Sequence, residues 1–159
     1  MLAFKCPVLT ITIVELVFAC EVPMSTLLSA HNLKNTYAVL QPGMSLALET
    51  VSPELYPSLD ANYDGFKNHS LIACHDFEED WGSWEMHPAG DELVMLMSGR
   101  ATMVVLNEDV ETTVCLEKPG SYVVVPKGLW HTALITEPTK MLFMTPGEGT
   151  LHADSPPHA

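Results

Sequence analysis

Residues 120–131 read Gly120-Ser121-Tyr122-Val123-Val124-Val125-Pro126-Lys127-Gly128-Leu129-Trp130-His131. Three valines make a β-branched run, Pro126-Lys127-Gly128 breaks it, and Leu129 to His131 opens another apolar run at once. The pattern is strand, tight turn, strand, with a histidine at the head of the second strand. Upstream, Trp84-Glu85-Met86-His87 is followed by a turn through Pro88 to Asp91, then by Glu92 at the head of the run Leu93 to Met97, closed by Gly99. The two-residue period of a strand puts Glu85 and His87 on one face. Glu92 is expected on the next antiparallel strand, its side chain returning to the same interior.

Working outward, eight short apolar or alternating runs follow one another: Leu71–Cys74, Trp84–His87, Leu93–Met97, Ala101–Leu106, Thr112–Leu116, Ser121–Val125, His131–Thr136 and Met141–Met144. Gly, Pro, Asn or acidic clusters separate them, and no long amphipathic helical pattern competes. Short strands at roughly eight to twelve residue intervals predict an all-β sandwich or barrel in a single domain. Residues 24–70 read as a preamble of strands and loop. Within it Ser25 to Leu40 holds a short strand or helical turn, and Pro42, Pro53 and Pro57 rule out one long helix. Pro57 to Asn68 reads as a polar loop with a turn at Tyr63-Asp64-Gly65. The barrel core is placed at 71–149 and a flexible tail at 150–159. Residues 1–23 read as a start taken too early, with synthesis from Met24, as a signal-like leader with Ala19 before a cleavage point, or as an extra strand.

A chain of 159 residues buries enough surface for one ordinary domain and is too short for two. Seven Lys+Arg against 20 Asp+Glu, a formal net charge of -13, repel phosphate backbones and anionic lipid, so neither nucleic acid nor a membrane is an expected partner. Cys6, Cys20, Cys74 and Cys115 show neither CxxC spacing nor a dense framework, as in a cytoplasmic protein. Cys74 and Cys115 each read as a small buried residue. The location expected is the cytoplasm, or export if residues 1–19 are a leader.

Two imidazoles, His87 and His131, and two carboxylates, Glu85 and Glu92, converging inside a barrel suit a divalent metal ion. Imidazole takes Fe, Mn, Ni or Zn, and carboxylate favours the harder end of that series. No GxSxG, phosphate-binding loop, dinucleotide fingerprint or HExxH is present, so any catalysis is expected at the metal.

These stretches resemble the two motifs of the cupins, small jelly-roll β-barrels of the double-stranded β-helix type. The second motif (Gly, five residues, Pro, one residue, Gly, two residues, His) is matched at every position by Gly120, Pro126, Gly128 and His131. The second half of the first motif is matched by His87, Glu92 and Gly99. Its first half departs: Glu85 stands where the first His would be and Glu79 where the leading glycine would be. Ile135 stands where members of the family often have Asn. The resemblance implies one mononuclear metal site held by His87, Glu92 and His131, with Glu85 at the fourth ligand position, and a homodimer. It also implies, as one function, a metal-dependent dioxygenase acting on a small organic molecule, neutral or cationic. The alternative is a non-catalytic barrel that binds or senses a small ligand.

Other side chains have simpler readings. His75 precedes the first motif and reads as a donor behind the ligands or a replacement ligand. Trp84 and Trp130 point away from the ligand face, into core or subunit packing. Met95, Met97 and Met103 read as outer-face packing. Seven acids and no Lys or Arg lie between positions 76 and 92, which disfavours sugar phosphates and dicarboxylates as substrates.

Overall fold

A computed structural model describes residues 24–155. Residues 1–23 and 156–159, and with them Cys6, Cys20, His158 and the readings of a leader, lie outside the described residues. The chain runs α1 (Met24–Leu27), β1 (Thr36–Leu40), β2 (Leu46–Thr50), α2 (Leu55–Asn62), β3 (Ser70–Phe77), β4 (Trp84–Met86), β5 (Glu92–Ser98), β6 (Ala101–Asn107), β7 (Val110–Leu116), β8 (Tyr122–Val125), β9 (Trp130–Ile135), β10 (Thr139–Thr145) and β11 (Leu151–Ala153). Its strands form two sheets, ordered β2-β1-β3-β10-β5-β8 and β11-β4-β9-β6-β7. Among the described residues every strand pairing is antiparallel, and consecutive strands from β3 onward alternate between the sheets except at the β6–β7 hairpin, the pattern of a jelly roll. Among the described residues no helix is long and apolar enough to cross a membrane.

Alternation explains the core. Val94 and Leu96 of β5, Met103 of β6, Ala133 of β9 and Met141 of β10 are fully buried between the sheets; in β5 and β10 the residues between the buried ones are more exposed, whereas Val104 of β6 and Thr132 of β9 are buried too. Burying each large aliphatic side chain contributes about 1.5–3 kcal/mol. A second cluster, Tyr37, Val39, Leu55, Leu59, Phe66 and Leu71, joins the preamble to the barrel.

Several expectations are corrected. A helix, α2, replaces the start of the loop at Pro57 to Asn68; Pro57 falls in its first turn, where a missing N–H costs nothing, and Leu55 and Leu59 are buried. Leu151–Ala153 is a strand on β4, with His152 opposite Glu85, where a flexible tail was expected. Glu92 does begin a strand, but β5 lies in the sheet facing β4 instead of beside it. Met103 is a core residue, because Ala101, Met103 and Val105 share the inward face of β6. Cys115 is exposed on the edge strand β7 and Cys74 is half-buried; both thiols are free.

The outer face of the larger sheet is apolar. Register aligns Cys74, Leu142, Met95 and Tyr122 in one row across β3, β10, β5 and β8, and Ile72, Met144, Leu93 and Val124 in the next. None of the eight is buried.

Candidate metal centre

β4 and β9 are neighbours, and the cross-strand pair that joins them is Glu85 with His131. His87 follows β4 directly, and its carbonyl accepts the Gly128 N–H at 2.9 Å, so the turn of the second motif is tied to the first. Gly128 has φ +79°, a left-handed backbone that only glycine adopts without strain. Glu92 enters from the facing sheet. The structure thus brings Glu85, His87, Glu92 and His131 together.

The distances are short. His131 Nε2 lies 3.0 Å from Glu92 Oε2, His87 Nε2 lies 3.4 Å from Glu92 Oε1, and His87 Nε2 lies 3.9 Å from Glu85 Oε2. One ligand atom each of Glu85, His87 and His131 fits within 4.8 Å of the others. His87, Glu92 and His131 are 3%, 2% and 0% exposed. Glu85 reaches solvent, and its Oε1 lies 3.4 Å from His152 Nδ1.

The far nitrogens fix the tautomers. Thr150 Oγ1, with the Gly147 carbonyl at 3.1 Å to take its own proton, is placed to accept from His87 Nδ1 at 2.9 Å. His131 Nδ1 faces the Leu129 carbonyl at 3.3 Å, another acceptor. Both rings therefore carry a proton on Nδ1 and turn Nε2 inward, the arrangement of a metal-ligating imidazole whose other nitrogen is held by a fixed acceptor. Thr145 Oγ1 donates to Glu92 Oε1 at 2.5 Å.

What remains is a buried knot of unpartnered atoms: among the described residues, His87 Nε2, His131 Nε2 and Glu92 Oε2 have no hydrogen-bond partner. His131 Nε2 and Glu92 Oε2 are close enough for a hydrogen bond but are not aligned for one. Nitrogen lone pairs facing carboxylate lone pairs at this range repel unless a cation, a proton or a metal ion, lies among them. This donor set fits a divalent ion of the borderline class. Burial alone would raise Glu92, but contact with the two imidazoles and their charge outweighs it and holds the carboxyl at about 2. Burial likewise pushes His131 down, and contact with Glu92 and its charge more than reverses the effect, so His131 is raised.

Glu85, His87 and Glu92 open onto a cavity of about 760 Å³. Phe77, Trp81 and Phe143 wall it, with Trp81 stacked on Phe77 at 5.6 Å and its ring 6.0 Å from His131. His75 also lines it, 3.5 Å from the Tyr37 hydroxyl, held low by burial and outside the group that could share an ion. Trp84 and Trp130 do not line it. Thr145, Thr150 and Trp81 went unread in the sequence, and His152 was read as a tail residue away from the site; of the unread three only Thr145 carried a signal, two residues beyond inward-facing Phe143 on one strand.

No family model matches the sequence, and no curated protein matches it. Among solved structures, a cupin-2 domain protein from Shewanella frigidimarina is 22% identical, with 48% of this chain and 70% of that one covered and a TM-score of 0.42. Hydroquinone 1,2-dioxygenase from Sphingomonas sp. TTNP3 is 19% identical, covering 48% of this chain and 58% of that one at 0.41. Oxalate decarboxylase from Bacillus subtilis, a protein with Mn(II) centres, is 22% identical, covering 53% and 23% at 0.44. By its own strand order, the described chain has the jelly-roll fold, an all-β barrel of two antiparallel sheets.

Proposed function

We propose that the chain is a mononuclear metal-binding cupin in which His87, Glu92 and His131 hold a divalent ion, Fe, Mn, Ni or Zn, with Glu85 as fourth ligand. We propose further that it acts as a metal-dependent dioxygenase on a small, non-anionic organic molecule. The observation that carries the reading is the convergence of His87 Nε2, His131 Nε2 and Glu92 Oε2, all buried and unpartnered. When bound, the ion supplies Lewis acidity and, as iron or manganese, redox chemistry with dioxygen. Thr150 and the Leu129 carbonyl orient the two imidazoles, and Thr145 orients Glu92. Glu85, reaching both the ligand cluster and the cavity, can accept a proton from an enol or phenol hydroxyl at its Oε atoms. Phe77, Trp81 and Phe143 keep water from that end of the cavity. The functional unit we propose is a homodimer packed through the apolar rows of the larger sheet.

A second reading is favoured by the same aromatic cavity: a barrel that captures a small ligand without turning it over. Elemental analysis of protein purified without an affinity metal, for wild type and His131→Ala, tests the metal. Near-stoichiometric Fe or Mn lost in the variant is the expected result, followed by oxygen uptake with a diketone or phenol. No metal in either sample after anaerobic reconstitution rejects the enzyme in favour of the binding barrel.

A further inference from the structure

The cavity beside the ligand cluster has an uneven lining. Asp60, Asp76, Glu78, Glu79, Asp80 and Glu85 lie around it, and among the described residues no Lys or Arg lines it. Three of these acids are partly compensated. Asp76 pairs with Lys140 at 3.1 Å, Asp80 Oδ1 accepts the Ile135 N–H at 2.6 Å, and Glu85 meets His152. Asp60, Glu78 and Glu79 have no ion pair among the described residues. The segment bearing the last two is not loose, because the bond from Ile135 to Asp80 and a second from the Trp81 N–H to the Ala133 carbonyl, 3.0 Å, bind it to β9.

Behind this acidic mouth stands an aromatic wall of three rings. Phe77 and Trp81 are stacked with 29° between their planes, and Phe143 lies 5.7 Å from Trp81. Trp81 also carries a buried Nε1–H with no partner among the described residues, which a ligand oxygen could accept. A flat apolar body suits the wall, an oxygen satisfies the indole, and a positive charge satisfies the mouth and gains from the indole face. An anion would meet uncompensated like charge.

Resting on the reading of this cavity as the substrate's, we infer that it selects a protonated amine carried on a planar, oxygen-bearing body, such as a hydroxylated arylalkylamine, over neutral and anionic isosteres. Three probes share one skeleton and differ in charge: tyramine, 4-propylphenol and 3-(4-hydroxyphenyl)propanoate. They are titrated calorimetrically into the full chain as purified and after chelation, with metal content measured on the same samples. Tyramine is expected to bind about tenfold more tightly than 4-propylphenol, and the propanoate most weakly, in the chelated protein, where no ion can ligate its carboxylate. The Glu78→Gln, Glu79→Gln double variant, altered only at exposed positions, should shrink that preference at least about threefold. Equal or tighter binding of the neutral or anionic probe, no binding of any probe, or an undiminished preference in the double variant overturns the inference. Tyramine ranking first in protein that takes up no metal upholds it while removing the metal centre; metal uptake without that ranking does the reverse.

Discussion

Thr145 holds Glu92 Oε1, the oxygen nearest His87, and so leaves Oε2 to face His131. Thr145→Val keeps the shape and removes the donor. A buried carboxylate oxygen losing its partner costs about 1–3 kcal/mol, measured by urea unfolding, and affinity for a divalent ion should fall about tenfold or more, measured by chelator competition. The ion pair itself predicts a pH dependence for the metal-free protein. Glu92 is depressed from 4.5 to about 2, so its stabilisation is complete above 4.5 and is lost as pH falls towards 2. His131 is raised from 6.5, so its stabilisation is complete below 6.5 and is lost as pH rises through its folded value. The denaturation midpoint of metal-free protein should therefore be highest between 4.5 and 6.5, and Glu92→Gln should flatten both limbs. Because a metal competes with a proton for His131 Nε2, affinity for it should rise with pH. Glu85, His87, Glu92 and His131 could be read from the sequence because strand alternation and turn spacing are local. Thr145 offered only its alternation with Phe143 and Thr150 offered nothing, since they meet Glu92 and His87 across 53 and 63 residues.

Strands and turns show a similar division. Each of the eight runs between Leu71 and Met144 overlaps a strand, because a half-buried antiparallel ladder writes its own alternation. β1, β2 and α2 were blurred by Pro42, Pro53 and Pro57, which mark boundaries without saying what lies between them. β11 exists only by pairing with β4, and a three-residue strand has too short a pattern to read. The turn between β5 and β6 offers a sharp test. Gly99 has φ +80°, and a Cβ there would run into the Pro138 carbonyl and Thr139. Gly120 has φ +86° but open space around it. Gly99→Ala should cost about 2–4 kcal/mol, combining backbone strain with a clash, whereas Gly120→Ala should cost about 1 kcal/mol from strain alone. Paired denaturant melts read the difference.

Over the whole molecule, the two apolar rows on the larger sheet form a continuous outer surface facing away from the cavity. A patch of that kind is a site of association. Sedimentation equilibrium should find a dimer, and Tyr122→Glu with Val124→Glu should give a monomer of unchanged metal content. A chain of formal charge -13 repels its own copy, so the dimer should tighten with added salt. A monomer at every salt concentration would remove the homodimer from the proposed function. The strand order carries one more consequence, in time instead of space. β10 lies between β3 and β5, so the larger sheet stays split until residue 145 has left the ribosome, and His87 waits longer still for Thr150. An emerging chain that already displays both motifs therefore has histidines but no assembled centre. On the proposed reading of this site as a metal centre, acquisition of the ion would then be deferred until β10 has closed the larger sheet.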